Sequence, residues 1–255
     1  MSKDISSEVD AATKPPLSGM SPEDIYAVLT GGDISHYPQW PSEPRQLQYT
    51  GGSGVPLLNR ARRFVEAMEK DMGGFPANWR GLDYGCGWGR IASFLLSRGS
   101  ADQLDMCDAW EESLELARQG GFRNKIFKVS SVIQKDEIAS GEYDFCYAMS
   151  IFTHLNREAF EKNVAALVAS LKRGGRFFFT VRFEAFIEKC LSTGKVKPPA
   201  ALDKDGFWNV VYPGQTHYGE TAVSQDFVFR LCKGLGQTDY LGEVESEQHL
   251  FRIIR

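Results

Sequence analysis

The sequence lacks the features that mark several large classes of protein. No stretch approaches the roughly 18 uninterrupted apolar residues of a membrane span, and polar residues 1–19 contain no apolar signal-peptide core. The five cysteines are odd in number and show no CxxC spacing, which argues against a zinc site or a disulfide framework. With 33 acidic and 29 basic residues, the chain has no excess charge that would attract nucleic acid or a membrane surface. These absences predict a cytoplasmic protein with reduced thiols and no bound metal, nucleic acid or membrane.

Glycine is the residue in excess, at 25 of 255 residues against an average of about 7%. The length suits one large domain or two small ones, and the 42% hydrophobic content is enough to fill a core. We expect a disordered tail over 1–20 and a single domain over 21–255. That domain is predicted to comprise an N-terminal helical lid (21–78), a cofactor-binding core (79–182), a substrate or lid insertion (183–220) and a closing helix with a hairpin (221–255).

From Trp79 onward, short apolar runs alternate with helical periodicity. Strands are predicted at 81–84, 103–107, 125–129, 143–149 and 176–181. Helices are predicted between them at 90–97, 111–119 and 157–172. A final helix at 221–233 precedes strands at 237–244 and 249–254. This alternation predicts an α/β fold of the Rossmann-like, doubly wound type, with a mostly parallel sheet covered on both faces.

Glycines at 85, 87 and 89 form a loop between the first predicted strand and the helix after it. Ligands of doubly wound sheets bind at this edge, and glycine lets the backbone approach them closely. Asp83 lies just before the loop, and Asp108 ends the second strand, where a carboxylate can accept hydrogen bonds from ribose hydroxyls. Arg90 stands where the dinucleotide fingerprint needs its third glycine. Because Asp83 would repel a pyrophosphate and attract an amino group, the ligand is predicted to be an adenosine with a cationic tail.

The motif Asp83-Tyr-Gly-Cys-Gly-Trp-Gly-Arg, with Asp108-Ala-Trp-Glu after it, resembles the class I S-adenosylmethionine-dependent methyltransferases. The resemblance implies a seven-stranded sheet whose last strand is antiparallel, with S-adenosylmethionine as cofactor and S-adenosylhomocysteine as product. It also implies that Asp83 and the loop hold the methionine moiety and that Asp108 holds the ribose. Ala109 and Trp110 would flank the adenine. The implied cofactor-binding residues of this core are Asp83, Gly85, Cys86, Gly87, Gly89, Asp108, Ala109, Trp110, Ser131, Val132, Met149 and Ser150.

One of these positions departs from the family pattern, and the assignment of others depends on the resemblance alone. Ser131 stands where the family often carries an aspartate toward the adenine amino group, so that contact would come from a serine or from the backbone. Met149 and Ser150 end the fourth strand, in a segment that resembles the one passing the methyl-donating end of the cofactor. Tyr49 and Thr50, followed by the glycine-rich 51–54, form either a surface turn or a lid over the methionine end. The resemblance favours the lid, so Tyr49 and Thr50 are also predicted to be cofactor-binding residues.

Methyl transfer to an oxygen or nitrogen atom can need a general base, and histidine is the commonest. His154 follows the fourth strand, and His217 lies in the insertion between two tyrosines. Both are candidate catalytic residues, although a histidine at position 154 in this family frequently supports the loop instead. No single base follows from the sequence.

The function that these observations predict is methyl transfer from S-adenosylmethionine to an oxygen or nitrogen atom of a small-molecule acceptor. An NAD(P)-dependent oxidoreductase is the alternative enzyme, which Asp83 and Arg90 disfavour. A non-catalytic cofactor-binding regulator or a protein methyltransferase also stays open. The sequence does not identify the acceptor, and it leaves the oligomeric state unknown.

Overall fold

The computed structural model describes residues 17, 19–197 and 200–255; the predicted N-terminal tail lies almost entirely outside them. The strands are β1 (Gly81–Tyr84), β2 (Leu104–Asp108), β3 (Ile126–Lys128), β4 (Tyr143–Ala148), β5 (Leu171–Val181), β6 (Phe207–Val211), β7 (Gly219–Val223), β8 (Gln237–Glu245) and β9 (Gln248–Ile254). The helices are α1 (Pro22–Thr30), α2 (Glu43–Thr50), α3 (Gly54–Met72), α4 (Ala92–Leu95), α5 (Glu111–Gln119), α6 (Arg157–Ser170), α7 (Ala185–Ser192) and α8 (Gln225–Cys232).

Seven of the strands form one sheet in the order β3-β2-β1-β4-β5-β9-β8. β1 to β5 pair in parallel, whereas β9 lies antiparallel between β5 and β8. The predicted doubly wound sheet with an antiparallel last strand is therefore confirmed. The strand order reverses between β1 and β4, where the crevice at the carboxyl ends of the strands binds ligands in such folds.

Helices cover both faces of the sheet and bury separate apolar clusters. α3 carries a stripe of apolar side chains, including Phe64, that packs against Phe145 and Tyr147 of β4 on one face. α6 buries Phe160 against Phe152 and other rings on the opposite face. The ordinary burial of such apolar stripes thus accounts for the two-sided architecture.

Several predicted boundaries are wrong. The helix expected over 221–233 begins at Gln225, because residues 219–223 form strand β7 and Ser224 caps the helix by accepting from the Phe227 backbone N–H. The helix expected over 90–97 has only the four residues of α4, and the one expected to reach 172 ends at Ser170. β5 accordingly starts earlier than predicted, at Leu171.

Helices α2 and α7 and strands β6 and β7 were not predicted. Helix α2 occupies the proline-containing stretch before the glycine-rich 51–54. Strands β6 and β7 pair antiparallel as a separate two-stranded sheet, here called the hairpin. The hairpin is attached to the segment after β4, since Thr221 N–H donates to the Thr153 carbonyl at 2.9 Å and Gly219 N–H donates to the His154 carbonyl at 2.7 Å. This places the hairpin beside the carboxyl edge of the sheet.

Candidate cofactor and acceptor site

The glycine loop joins β1 to the segment that carries α4 and is held against β2. The N–H groups of Gly85 and Cys86 both donate to the Cys107 carbonyl, at 2.8 and 3.0 Å. Gly85, Gly87 and Gly89 all have positive φ, at 72°, 55° and 90°, which side chains other than glycine rarely adopt. The loop conformation thus requires the three alternating glycines.

The three glycines differ in what surrounds them. A Cβ atom on Gly85 would lie 2.2 Å from the side chain of Ile151, and one on Gly89 would lie 2.3 Å from the ring of Phe122. A Cβ atom on Gly87 would meet nothing within 4 Å. The loop is therefore packed tightly at both ends and open in its middle, which is the surface a ligand would approach.

Asp108 lies at the end of β2, facing the open middle of the loop. Its Oδ2 accepts from the Gly87 backbone N–H at 3.0 Å, and its Oδ1 accepts from the Trp110 N–H at 2.9 Å. Burial raises the pKa of Asp108, while the backbone donors, including Ala109, oppose that rise. Each oxygen keeps a second lone pair, so the carboxylate can accept further hydrogen bonds from a pair of hydroxyls.

Asp83 and Arg90 are buried charged groups that form no ion pair within 4 Å in the described part of the chain, although each shifts the pKa of the other. Asp83 is 3% exposed, and its Oδ2 has no hydrogen-bond partner in the described part of the chain. Burial raises the pKa of Asp83 to about 7, against the lowering effect of the nearby Tyr147 hydroxyl. The Arg90 guanidinium donates a hydrogen bond to Met149 Sδ at 3.7 Å. Burial lowers the pKa of Arg90 to about 10. Among residues 17, 19–197 and 200–255, no carboxylate lies within 4 Å of its guanidinium.

The segment after β3 is fixed by Asn163 of α6, which is fully buried. Asn163 Nδ2 donates to the Ser131 carbonyl at 2.9 Å and to the Tyr84 hydroxyl at 2.7 Å. The side chain of Ser131 is exposed and that of Val132 is buried. Both residues thus lie in a rigid segment at the carboxyl edge, with the Ser131 side chain free to reach solvent or ligand.

Tyr49 and Thr50 form the carboxyl end of α2. Thr50 Oγ1 donates to carbonyls of its own segment, at Gln46 and Gly52. The Tyr49 side chain lies beside Glu112. Burial raises the pKa of Tyr49, and the Glu112 carboxylate adds a smaller rise. Tyr49 therefore lies near the first turn of α5, on the same side of the sheet edge as Asp108.

Met149 and Ser150 follow β4 directly. Met149 is 7% exposed, and its Sδ accepts a hydrogen bond from the Arg90 guanidinium. Ser150 adopts a positive φ of 62°, and its backbone N–H donates to Thr180 Oγ1 at 2.8 Å. Non-glycine residues in this conformation concentrate at functional sites, which fits the position of Ser150 at the carboxyl edge.

The two predicted histidines are both held by hydrogen bonds near the hairpin. His154 Nδ1 donates to the Gly219 carbonyl at 2.7 Å, and its ring stacks on Tyr218 with centroids 4.9 Å apart. Burial, with a smaller effect of Arg182, lowers the pKa of His154 to about 4. His217 Nδ1 accepts from Asn156 Nδ2 at 3.1 Å. The catalytic assignment of either histidine stays a prediction, and the lowered pKa of His154 makes it a weak base.

A charged cluster beside the carboxyl end of β5 was not predicted from the sequence. Glu220 is 4% exposed and accepts from Arg182 at 2.6 Å, from the Tyr212 hydroxyl at 2.6 Å and from Lys195 at 3.2 Å. Burial pulls the pKa of Glu220 upward, but the Tyr212 hydroxyl and the cations outweigh it, so the pKa is lowered. The sequence does not connect residues 182, 195, 212 and 220, because they share no local pattern.

Aromatic rings connect this cluster to the cofactor side. Tyr218 lies 4.8 Å from Trp110 and 6.0 Å from Tyr212 between ring centroids. Trp110 is 41% exposed and Tyr212 is 37% exposed. The hairpin thus contributes an aromatic wall that begins beside Asp108 and ends at Glu220.

The described ranges, residue 17, 19–197 and 200–255, offer neither a metal site nor a helix that could span a membrane. No group of three or more His, Cys, Asp or Glu side chains there is placed to hold a metal ion. None of the helices in those ranges combines the length and the apolar character needed to cross a membrane.

The sheet order and the glycine loop between two acidic strand ends define a class I S-adenosylmethionine-dependent methyltransferase domain. The family model described as a methyltransferase domain matches residues 82–175, which confirms the predicted family and its cofactor class. The chain carries this domain, and the match spans β1 through the start of β5.

Individual relatives show similarity over different lengths. The chain is 32% identical over 138 residues to the S-adenosyl-L-methionine-dependent Diels-Alderase iccD of Talaromyces variabilis; the match covers 51% of this chain and 45% of that protein, less than half of its length. Magnesium protoporphyrin IX methyltransferase from Synechocystis superposes with a TM-score of 0.57 at 14% identity, over 83% of this chain and 93% of that one. DesVI of Streptomyces venezuelae superposes with a TM-score of 0.55 at 14% identity, over 84% and 99%. At these identities the structural likenesses show a shared fold.

Proposed function

We propose that the protein is an enzyme that transfers the methyl group of S-adenosylmethionine to an oxygen or nitrogen atom of a small-molecule acceptor. The observation that carries the proposal is the pair of buried charged groups beside the glycine loop, Asp83 and Arg90, neither of which forms an ion pair within 4 Å in the described part of the chain. The amino-acid end of the cofactor supplies one ammonium and one carboxylate, so it would neutralise both groups. A dinucleotide would bring only negative charge to the loop and leave Asp83 facing a diphosphate.

The remaining cofactor residues fit the same ligand. Asp108 is held by backbone donors with lone pairs to spare for two ribose hydroxyls. Gly87 leaves the middle of the loop open for close approach. Trp110 and Ser131 expose side chains at the carboxyl edge, where the adenine would lie. S-adenosylmethionine supplies an electrophilic methyl group, and the protein's part is to bind it and align the acceptor.

The acceptor is proposed to lie between the segment after β4 and the hairpin. That region combines the rings of Tyr212 and Tyr218 with the polar groups of Arg182 and Glu220. A mostly apolar surface with a few fixed polar groups is typical of small-molecule sites. Because His154 is neutral and weakly basic, we expect alignment to contribute more to the rate than proton abstraction by this residue.

Other functions are distinguished by what happens to the cofactor. The Diels-Alderase relative is named for a ring-forming reaction that depends on S-adenosyl-L-methionine, so a protein that binds the cofactor and leaves its methyl group in place is the second candidate. A regulator would likewise bind without turnover, and a protein methyltransferase would methylate a polypeptide. A cytoplasmic location and the absence of a nucleic-acid partner stay predictions.

The test has two stages. Calorimetry with S-adenosylhomocysteine and with NAD asks which cofactor binds; tight binding of NAD alone would overturn the proposal. Incubation with methyl-labelled S-adenosylmethionine and a panel of alcohols, phenols, amines and peptides then follows the label. Labelled alcohol, phenol or amine products support the proposal. Labelled peptides, or binding without label transfer across the panel, favour the alternatives.

A further inference from the structure

Tyr147 of β4 carries a buried hydroxyl group that the fold leaves without a partner. The residue is fully buried, and its Oη makes no hydrogen bond in the described part of the chain. It pairs in register with Asp83 of β1, whose Oδ2 is also unpartnered. Burying a polar group without a hydrogen bond destabilises the folded state, so two such groups side by side require an explanation.

The two groups face the same side of the sheet. Tyr147 belongs to the cluster under α3, and the residues on either side of Asp83, Leu82 and Tyr84, belong to the opposite cluster, so alternation turns Asp83 toward α3. The Tyr147 hydroxyl lies close enough to the Asp83 carboxylate to oppose, as a hydrogen-bond donor, the rise that burial gives the pKa of Asp83. Burial raises the pKa of Tyr147, and Asp83 and, less strongly, Cys86 of the glycine loop add to that rise. The unpaired atoms therefore lie together at the base of the loop.

Other buried tyrosines of the same two strands are satisfied within the chain. The Tyr84 hydroxyl accepts from Asn163 at 2.7 Å, and the Tyr143 hydroxyl donates to Asp105 at 2.8 Å. The hydroxyl groups of Tyr84 and Tyr143 thus both form hydrogen bonds within the core. The Tyr147 O–H faces the Asp83 carboxylate, so the group that the described part of the chain does not supply is a donor to the hydroxyl oxygen.

We infer that Tyr147 is a cofactor-binding residue whose hydroxyl oxygen accepts a hydrogen bond from the α-ammonium group of S-adenosylmethionine, next to Asp83. The inference rests on the proposed use of this cofactor. An ammonium has three N–H donors and no acceptor, which suits one carboxylate oxygen and one hydroxyl oxygen that both lack donors. Asp83 supplies the charge, and Tyr147 fixes the direction of the group.

The experiment compares two ligands that differ at the amino-acid end. S-adenosylhomocysteine carries the ammonium, whereas 5′-methylthioadenosine has the same nucleoside and thioether without it. Both are titrated calorimetrically into the wild-type protein, into Tyr147→Phe and into Tyr143→Phe. The phenylalanine at 147 keeps the ring that packs at 6.0 Å from Phe64, and it removes only an unpaired hydroxyl, so we expect the variant to fold. Tyr143→Phe is the matched control, because it removes a hydroxyl of the same strand that is bonded within the core.

We expect Tyr147→Phe to weaken S-adenosylhomocysteine binding about tenfold, the effect of one lost hydrogen bond to a charged group, and to leave 5′-methylthioadenosine within about twofold. Tyr143→Phe should leave both affinities unchanged. Equal weakening of both ligands by Tyr147→Phe, or no weakening of either, would overturn the assignment of Tyr147 alone. A wild-type protein that binds neither ligand would overturn the proposed cofactor and this inference with it.

Discussion

The unpaired carboxylate of Asp83 makes a testable link between cofactor binding and stability. Burial raises the pKa of Asp83 from 3.8 to about 7, so the folded protein without cofactor holds the proton more tightly than the unfolded chain does. The contribution of Asp83 to the free energy of unfolding is therefore fully present below pH 3.8, and it is lost as the pH rises through about 7. At about 1.4 kcal/mol for each tenfold change in acidity, the charged carboxylate costs the fold about 4 kcal/mol at pH 8.

The substitution Asp83→Asn removes this charge while keeping the size of the side chain. We expect the free variant to be more stable than the wild type by about 2–4 kcal/mol at pH 8 and to match it at pH 4. The measurement is urea unfolding of both proteins at a series of pH values. In the same samples, the variant should lose most of the rise in melting temperature that S-adenosylhomocysteine gives the wild type, because the ammonium loses its counter-ion.

The control is Asp105→Asn, on the adjacent strand. Asp105 is equally buried at 2% exposed, but it accepts from the Tyr143 hydroxyl at 2.8 Å and pairs with Arg80 and Lys125 at 3.3 Å. Its substitution should therefore lower stability at pH 8. If Asp83→Asn also destabilises the free protein at pH 8, Asp83 has a favourable partner in the folded chain, and the reasoning from an unpaired charge is wrong.

Four further predictions address the loop, the ribose contact and the hairpin. Asp108→Ala should weaken S-adenosylhomocysteine binding by about 1.5–3 kcal/mol in calorimetry; unchanged affinity would contradict the ribose assignment. Gly89→Ala places a Cβ atom 2.3 Å from an aromatic ring at a φ of 90° and should lower the free energy of unfolding by about 1–3 kcal/mol; a neutral result would show that the loop can rearrange. Glu220→Gln should destabilise the protein by about 1–3 kcal/mol because Arg182 loses its buried counter-ion, while cofactor affinity changes little. His154, with a pKa near 4, should stay neutral in NMR titrations down to pH 5, and protonation near pH 6.5 would contradict its burial.

The core of the fold could be predicted because its signals are local. β1 and α5 coincide with their predicted bounds, since each is delimited by turn residues and shows a clear apolar pattern. The antiparallel β9 followed from family resemblance and not from periodicity, which cannot distinguish strand directions. The predicted helix boundaries were wrong where an apolar run continues from one element into the next. Ser224 is an example, because it lies between the end of β7 and the start of α8.

The hairpin and α2 could not be predicted because tertiary contacts decide them. α2 begins at a Glu-Pro pair and includes the fully buried Gln46, which donates to the Pro41 carbonyl and accepts from the Gly54 N–H. A polar residue of this kind indicates a loop in the sequence, and only its partners make it part of the core. Strand β7 likewise depends on the hydrogen bonds that Gly219 and Thr221 make to the segment after β4.

The same distinction separates the two halves of the site. The proposed cofactor half is built from a contiguous loop and the end of the next strand, so Asp83 and Asp108 could be predicted from spacing. The proposed acceptor half joins Arg182 to Glu220 across 38 positions of the sequence, and no spacing rule connects them. Tyr218 contacts both halves, through Trp110 on one side and His154 on the other. We therefore expect a substitution in the hairpin to affect both the proposed acceptor region and the proposed adenosine-binding region. Acceptor selectivity and cofactor affinity should be measured on the same hairpin variants.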